Sequence, residues 1–252
     1  MKLKLKGYQV QFLEDGHTYT LGGDLLTGVT TILGVRNKDF LKWWTVKLMY
    51  ETLLPKLKDV QGIGEKEWEA ILLEAKKAHT IKSKEALDSG KIAHEWIEQY
   101  VGARIDGKAL YNEPIADEKA QNAVNQFLEW EKAHKVEWLA SELVLAHPGH
   151  KFAGTVDAVA RVDGVLSVLD WKTSNQISEE YFLQTAAYMF LLDENLIDGE
   201  ERPTQRIIVR IPKDGKEFEI KVVDTPYEFD VSTFLHLREC HRWNVFIENN
   251  KK

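Results

Sequence analysis

Residues 154–188 read GTVDAVARVDGVLSVLDWKTSNQISEEYFLQTAAY, and this stretch decides the fold. A run of alternating and branched apolar residues, Thr155 to Val162, is followed by Asp163-Gly164 and a second apolar run, Val165 to Leu169. Asp-Gly between two such runs is the strongest short-range signal for a two-residue β-hairpin, because a type I′ turn needs positive φ at both central positions. The turn predicts a register: Val162 opposite Val165, Arg161 opposite Leu166, Val159 opposite Val168 and Asp157 opposite Asp170. Directly opposed Cβ atoms lie roughly 4.5–5.5 Å apart. The two-residue period of a strand brings Lys172 out on the same face as Asp170.

Two like charges facing each other destabilise a sheet, so a fold that keeps them needs a compensating cation. Lys172 supplies one ammonium; a divalent ion does more. Hard cations such as Mg²⁺ take oxygen ligands and bind through carboxylates and substrate phosphates. An ion so held lowers the pKa of a bound water and polarises a phosphoryl oxygen. The plain alternative is a surface salt bridge at the end of a hairpin. The next element adds to the pattern. Ser178 reads as a helix N-cap with Glu179 and Glu180 in the first turn. Gln184 and Tyr188 then fall at i, i+4 on one helix face, where an ordinary amphipathic helix would simply bury Tyr188.

The order G-T-V-D, then D-W-K-T-S, then Q-x3-Y resembles the PD-(D/E)XK nuclease superfamily, in its RecB-like exonuclease branch. Asp157, Asp170, Lys172, Gln184 and Tyr188 match that branch position by position. The middle acid is Asp where the superfamily's name allows Asp or Glu, as is common in this branch. The resemblance covers roughly residues 27–188. It implies an α/β fold with a restriction-endonuclease-like core: a central mixed β-sheet flanked by helices, here with an N-terminal helical region. It further implies that Asp157 and Asp170 hold one or two Mg²⁺ or Mn²⁺ ions, that the backbone carbonyl of Trp171 adds a ligand, and that Lys172 orients the attacking water. Gln184 and Tyr188 would position the phosphate or support the lysine. Members of the branch also carry a G-x3-H helix upstream, and Gly90 to His94 fits it, so His94 joins the expected ligands. A Glu ahead of G-T-x-D is often a further acid near the metal; Glu142 stands there, with an exposed edge-strand position as its alternative.

Composition bounds the reading. A chain of 252 residues can build one large domain or two small ones. The absence of Pro-Gly or Ser-rich linkers favours a single nuclease domain, with 1–82 an N-terminal hairpin and helical elaboration, 83–225 the catalytic core and 226–252 a C-terminal helix. One cysteine, Cys240, excludes a disulfide framework and a cysteine-ligated cluster, so no iron–sulfur centre is expected, unlike some RecB-like relatives. Met1 to Lys6 alternates Lys and Leu without an apolar core, so no signal peptide is expected. No apolar run reaches the ~20 residues of a membrane span. The expected location is the cytoplasm, of a bacterial host if the protein is phage-encoded. A net charge of −7 argues against a protein that coats DNA generally, but a basic groove can sit in an acidic chain.

Along the chain, Tyr8 to Leu21 predicts a hairpin turning at Asp15-Gly16. Leu26 to Leu33 predicts a helix start capped by Thr27 or Thr30; this V-T-T-I-L segment ahead of a Trp-bearing helix resembles phage-encoded and mitochondrial genome-maintenance members of the branch. Trp43 and Trp44 are expected in the core, with base stacking as the alternative. Phe40 to Leu54, Glu65 to Thr80 and Ser83 to Val101 predict three helices, the last capped by Ser83, with Glu95 and Glu98 facing solvent. Lys76, Lys77, Lys82 and Lys84 form the densest basic patch, a solvated face or a DNA-backbone contact. Ala116 to Lys135 predicts a helix and Val136 to Ala146 a strand. His147 and His150 in a Pro-Gly turn are a weak zinc signal. Gln205 to Ile211 and Lys216 to Val223 predict a second hairpin around Asp214-Gly215, and Val231 to Ile247 a last helix capped by Asp230.

The sequence thus predicts a metal-dependent deoxyribonuclease, an exonuclease on single-stranded DNA or duplex ends, in phage or prophage recombination, repair or replication. Its partner is DNA, with no membrane. The rival readings are an endonuclease of the same chemistry, a non-catalytic DNA-binding module that keeps the fold, and a phosphatase on small nucleotides.

Overall fold

The computed structural model describes residues 3–13, 18–36, 39–56, 64–108, 111–174, 176–211 and 219–251. They fall into two compact units, one of residues 1–36 and 92–252 and one of residues 37–91.

The larger unit is built on a mixed sheet. Strands β1 (Val10–Leu13), β2 (Thr18–Leu21), β3 (Asp24–Gly28), β4 (Val136–His147), β5 (Phe152–Val162), β6 (Val165–Lys172), β7 (Gln205–Arg210) and β8 (Glu219–Val222) run in the order β1-β2-β3-β5-β6-β7-β8, with β4 paired to β5. The pairs β3–β5 and β6–β7 are parallel and the others antiparallel. The β5–β6 hairpin has the expected register, Val162 with Val165, Arg161 with Leu166 and Val159 with Val168. Asp163 and Gly164 have φ of 50° and 90°, as the turn requires. Asp163 does more than turn the chain: its carboxylate accepts from the Lys135 backbone N–H at 2.9 Å and meets His134 Nδ1 at 2.8 Å, tying the hairpin to the start of β4.

Helix α1 (Val29–Leu33) follows β3, α4 (Glu118–Ala133) precedes β4, α5 (Glu180–Asn195) crosses from β6 to β7, and α6 (Tyr227–Asn249) ends the chain. One face of the sheet is aromatic. Phe127 of α4 lies 5.5 Å from Trp171 and 6.1 Å from both Trp130 and Trp138, ring to ring. The indole of Trp138 and the hydroxyl of Tyr100 both donate to Glu131, each at 2.6 Å, so these buried polar edges are satisfied. The other face packs Val159, Leu166 and Val168 against Leu183, Ala187, Tyr188 and Leu191 of α5. Strand alternation therefore turns Trp171 to the aromatic side and Asp170 and Lys172 toward α5.

The smaller unit holds α2 (Asp39–Lys56) and the first part of α3 (Glu65–Asp106). Gly64 leads into α3, and its N–H donates to Glu67 Oε2 at 2.9 Å. Lys56 pairs with Glu74, linking the two helices.

Five local expectations change. Helix α5 starts at Glu180 with Glu179, not Ser178, at its N-cap position, although the Ser178 hydroxyl still accepts from the Glu180 N–H at 3.3 Å. Helix α3 is continuous from Glu65 to Asp106 and does not restart at Ser83: a serine mid-helix has no unsatisfied N-terminal amides to cap. Helix α1 is capped by Gly28 rather than a threonine, because Asp24 to Gly28 is drawn into the sheet. Asp230 lies in the first turn of α6, which begins at Tyr227, and turns inward to Arg206. Trp43 is 75% exposed rather than in the core, while Trp44 is half-buried. The turns expected at Asp15-Gly16 and Asp214-Gly215 lie outside the described residues. No helix among the described residues is long and apolar enough to cross a membrane.

Candidate active site

Strand β5 shares one edge between two neighbours. Thr27 and Gly28 of β3 pair with Phe152 and Ala153, and β6 pairs only from Ala158 onward. The segment 154–157 lies between them, and Asp157 stands at the fork. Its side chain takes the place of the missing ladder bond: Oδ2 accepts from the Trp171 backbone N–H at 2.8 Å. On the other edge, β4 pairs Ser141 with Ala158 and Leu143 with Val156, which sets Glu142 opposite Asp157. Glu142 has φ of 47°, a conformation that costs a non-glycine residue energy and that recurs at functional sites. The ladder pair expected between Asp157 and Asp170 does not form, because the β5–β6 pairing ends one residue short at Ala158–Leu169; Glu142, Asp157 and Asp170 still lie side by side at this fork on three adjacent strands.

His94 comes to this row from α3. Its Nε2 is 3.5 Å from Asp157 Oδ2 and its Nδ1 is 3.8 Å from Glu142 Oε1. One ligand atom from each of His94, Glu142 and Asp157 lies within 4.8 Å of the others. Asp170 is outside that set. It is 0% exposed, with Oδ2 at 2.6 Å from the Lys172 ammonium. The Lys172 ammonium thus partners Asp170 Oδ2, while Asp170 Oδ1 and Glu142 Oε1 are buried without a hydrogen-bond partner among the described residues. Lys172 is held from its other side by the Tyr181 ring, 5.0 Å away.

The electrostatics follow from the crowding. Burial first, and then the neighbouring Asp157, pushes the Glu142 carboxyl up to about 7. Burial likewise raises Asp170 to about 7, with Lys172 opposing and Asp157 adding to the rise. Burial alone would lower His94, but the hydrogen bond and charge of Asp157 and the charge of Glu142 outweigh it and raise the imidazole to about 9. Asp157 moves the other way: burial is overcome by His94, Lys172 and the Trp171 amide, which hold it below its ordinary value. Carboxyls with such opposed environments, gathered in a cleft, mark a site built for charge.

Tyr188 of α5 closes the site from the helix side. With His94, Glu142, Asp157, Gly154, Thr155, Val29, Thr30 and Tyr19 it lines a cavity of about 170 Å³. Gln184 Nε2 donates to the Tyr188 hydroxyl at 2.8 Å. The glycine of G-T-V-D is explained here: a Cβ on Gly154 would meet Tyr188 Cε1 at 2.9 Å and Val29 Cγ2 at 3.1 Å.

The described residues include a donor set suited to a hard cation: carboxylates with orphaned oxygens and one imidazole. Larger hollows exist elsewhere, one of about 560 Å³ between α5 and α6, but its acids, Asp193, Glu228 and Glu239, do not converge as a ligand set. His147 and His150 meet through a backbone-to-ring hydrogen bond of 3.2 Å and pack on Phe190, an aromatic corner with no carboxylate among those contacts. Lys76 and Lys77 are exposed on α3; the side chains of Lys82 and Lys84 lie outside the described residues.

Two residues of the site have no place in the sequence reading. Tyr19 of β2 bonds Thr155 Oγ1 at 3.0 Å, a contact 136 residues distant in the chain that no local pattern reveals. Tyr181 precedes Gln184 and Tyr188 at helical spacing, and that periodicity could have found it.

A family model described as the PD-(D/E)XK nuclease superfamily matches residues 70–243, well over half of the sequence. The chain belongs to the PD-(D/E)XK nuclease superfamily. Its mixed sheet with flanking helices is that superfamily's α/β fold. No curated protein matches the sequence significantly. Among solved structures, the protein SSO0001 is 20% identical with a TM-score of 0.31, over 48% of this chain and 56% of that one. This PD-(D/E)XK chain therefore spans little more than half the length of SSO0001. An alkaline exonuclease of Laribacter hongkongensis, LHK-Exo, is 13% identical with a TM-score of 0.34, over 65% of this chain and 92% of that one. Both likenesses are distant.

Proposed function

We propose that this PD-(D/E)XK chain is a divalent-metal-dependent deoxyribonuclease of the RecB-like branch, acting as an exonuclease on single-stranded DNA or duplex ends. The observation that carries the reading is the row Glu142, Asp157 and Asp170, in which Glu142 Oε1 and Asp170 Oδ1 are buried without a hydrogen-bond partner while Asp170 Oδ2 meets the Lys172 ammonium. Lys172 balances one of these charges, and three acids with unpaired buried oxygens among them remain costly to a fold unless a further cation binds. The ordered motif that ends in Gln184 and Tyr188 supports the branch, and the V-T-T-I-L segment supports a setting in phage or prophage DNA recombination, repair or replication.

His94, Glu142, Asp157, Asp170 and the Trp171 carbonyl would hold Mg²⁺ or Mn²⁺. When bound, the ion supplies an acidified water and a polarised phosphoryl oxygen. The rest of the chemistry belongs to side chains. Lys172, fixed between Asp170 and the Tyr181 ring, orients the attacking water and offsets negative charge as it grows on phosphorus. Water adds in line to phosphorus and gives up a proton to solvent, the P–O ester bond breaks, and the departing oxygen takes up a proton from solvent. The Tyr188 hydroxyl accepts from Gln184, which leaves its own proton to donate to a phosphate oxygen. Lys76 and Lys77 are proposed contacts to the DNA backbone.

The test uses 5′- and 3′-labelled linear DNA, single- and double-stranded, beside closed circular DNA, with Mg²⁺, Mn²⁺ or EDTA, for wild type and Lys172→Ala. Loss of linear DNA alone, abolished by EDTA and by the substitution, is the expected result. Cleavage of circles would convert the reading to an endonuclease, and no metal-dependent cleavage of any DNA would overturn it.

A further inference from the structure

Helix α2 carries an apolar stripe on its solvent side. Trp43 and Tyr50 are 75% and 60% exposed, and Val46 and Leu54 are exposed with them. At 100° per residue these four fall on one face together with Lys47, while the buried Leu48 points the opposite way. The rise of 1.5 Å per residue sets the two aromatic rings about 10 Å apart along the axis, with Lys47 between them. Lys47 is itself 71% exposed and pairs with Glu51 one turn on.

The charge of the smaller unit says what such a face is for. Residues 37–91 contain eleven lysines, no arginine and nine acids, whereas the rest of the chain contains 22 Lys and Arg against 31 acids. The acidic chain thus concentrates its positive balance in this one unit. A protein-binding face is enriched in arginine and depleted in lysine; this unit has the reverse bias. A lysine set between two solvent-facing aromatic rings, in a unit rich in lysine, suits a nucleic-acid backbone whose bases are unpaired and can stack. A duplex keeps its bases stacked on one another and offers the rings no partner.

We infer that the Trp43–Tyr50 face of α2 is a binding site for single-stranded DNA, with the two rings as base-stacking platforms and Lys47 as a phosphate contact. The inference deepens the proposed function and rests on it, since it names the strand form that the nuclease takes hold of.

Fluorescence anisotropy in EDTA, where no cleavage occurs, tests it with the full chain and a labelled oligothymidylate or a blunt duplex of equal length. Trp43→Ala and Tyr50→Ala are each expected to weaken oligothymidylate binding at least about fivefold. Trp43→Phe should restore most of it, and blunt-duplex binding should change less than twofold. Lys47→Gln should lower the slope of affinity against salt by about one. Unchanged oligothymidylate affinity in both aromatic variants, with wild type still cleaving DNA, overturns this site and leaves the nuclease reading standing. Equal losses for duplex and single strand also overturn it. So does a wild-type dimer in sedimentation that Trp43→Ala dissociates without altering affinity, because the stripe would then be a self-interface. A wild type that neither binds nor cleaves DNA overturns both readings.

Discussion

Two clusters of buried charge sit on the same sheet, and they are built on opposite principles. Arg206 of β7 and Asp230 of α6 are 4% and 6% exposed in their side chains. The guanidinium donates to Asp230 at 2.6 Å, to the Phe182 carbonyl at 3.2 Å and to the Thr225 carbonyl at 2.6 Å, and Thr225 Oγ1 bonds the same carboxylate. These bonds reach α5, α6 and the loop before α6, so the arginine clips three segments together. The second cluster, Glu142, Asp157, Asp170, His94 and Lys172, keeps two buried oxygens, Glu142 Oε1 and Asp170 Oδ1, with no hydrogen-bond partner among the described residues. Evolution of a stable fold alone would remove such a cluster or complete it, because an unsatisfied buried charge costs several kcal/mol. The first cluster holds the molecule together; the second is held together by the molecule, and its unpaired buried oxygens point to chemistry.

The largest difference expected between them is in turnover. Lys172→Ala should lower metal-dependent DNA cleavage by on the order of 10²–10³ or more while leaving the thermal unfolding curve cooperative. Asp230→Ala should do the converse. It strands Arg206 in the core and should cost about 3–5 kcal/mol of stability in urea unfolding, with cleavage per folded molecule kept. A loss of turnover in Asp230→Ala below its unfolding temperature would break the contrast.

A pH effect of intermediate size sharpens it. Glu142 and Asp170, both raised to about 7 in the fold, bind protons there that the unfolded chain has released above about 4. Their contribution to stability therefore falls as pH rises from about 4 to 7. His94, raised to about 9, contributes stability that is complete below about 6.5 and is lost as pH rises through its folded value. All three act in one direction, so the metal-free protein should lose thermal stability from mildly acidic to alkaline pH. A divalent cation competes with these same protons. The rise in Tm produced by Mn²⁺ should accordingly widen over that range, and a rise independent of pH would contradict the assignment of these ligands.

The smallest effect has an unusual sign. Glu142→Gln removes a charge that burial and Asp157 disfavour, so it should stabilise the metal-free protein by about 1 kcal/mol while reducing the Mn²⁺-induced shift. The metal-free Tm of the variant beside wild type measures it, and a destabilised variant would count Glu142 with the Arg206–Asp230 type of cluster.

The sequence carried this site to different depths. Asp-Gly at 163–164 predicted the hairpin and its register because turn chemistry is local, and Val162–Val165 and Val159–Val168 pair as expected. The superfamily and its mixed sheet were legible from an ordered motif of short segments. What was not legible depends on contacts between segments far apart in the chain. Asp230 reads as a helix cap because Asp favours that position, yet Arg206, 24 residues away, draws it inward. Tyr19 enters the cavity only through the sheet, and the fork of β5 between β3 and β6 is invisible to any local period. Trp43 reads as core because large apolar residues usually are; a helix face without a packing partner leaves no signature in its own sequence.

The measurement closest to the centre is calorimetric titration of Mn²⁺ into the metal-free protein at pH 8, for wild type and for Asp157→Asn. Asp157 joins the row to both His94 and Trp171, so its oxygen is the one the cluster cannot lose. Saturable Mn²⁺ binding by wild type, weakened at least tenfold in a folded Asp157→Asn, is the expected result. Wild type that takes up no Mn²⁺, or a variant that binds it equally well, would contradict the claim that the unsatisfied row is a metal site.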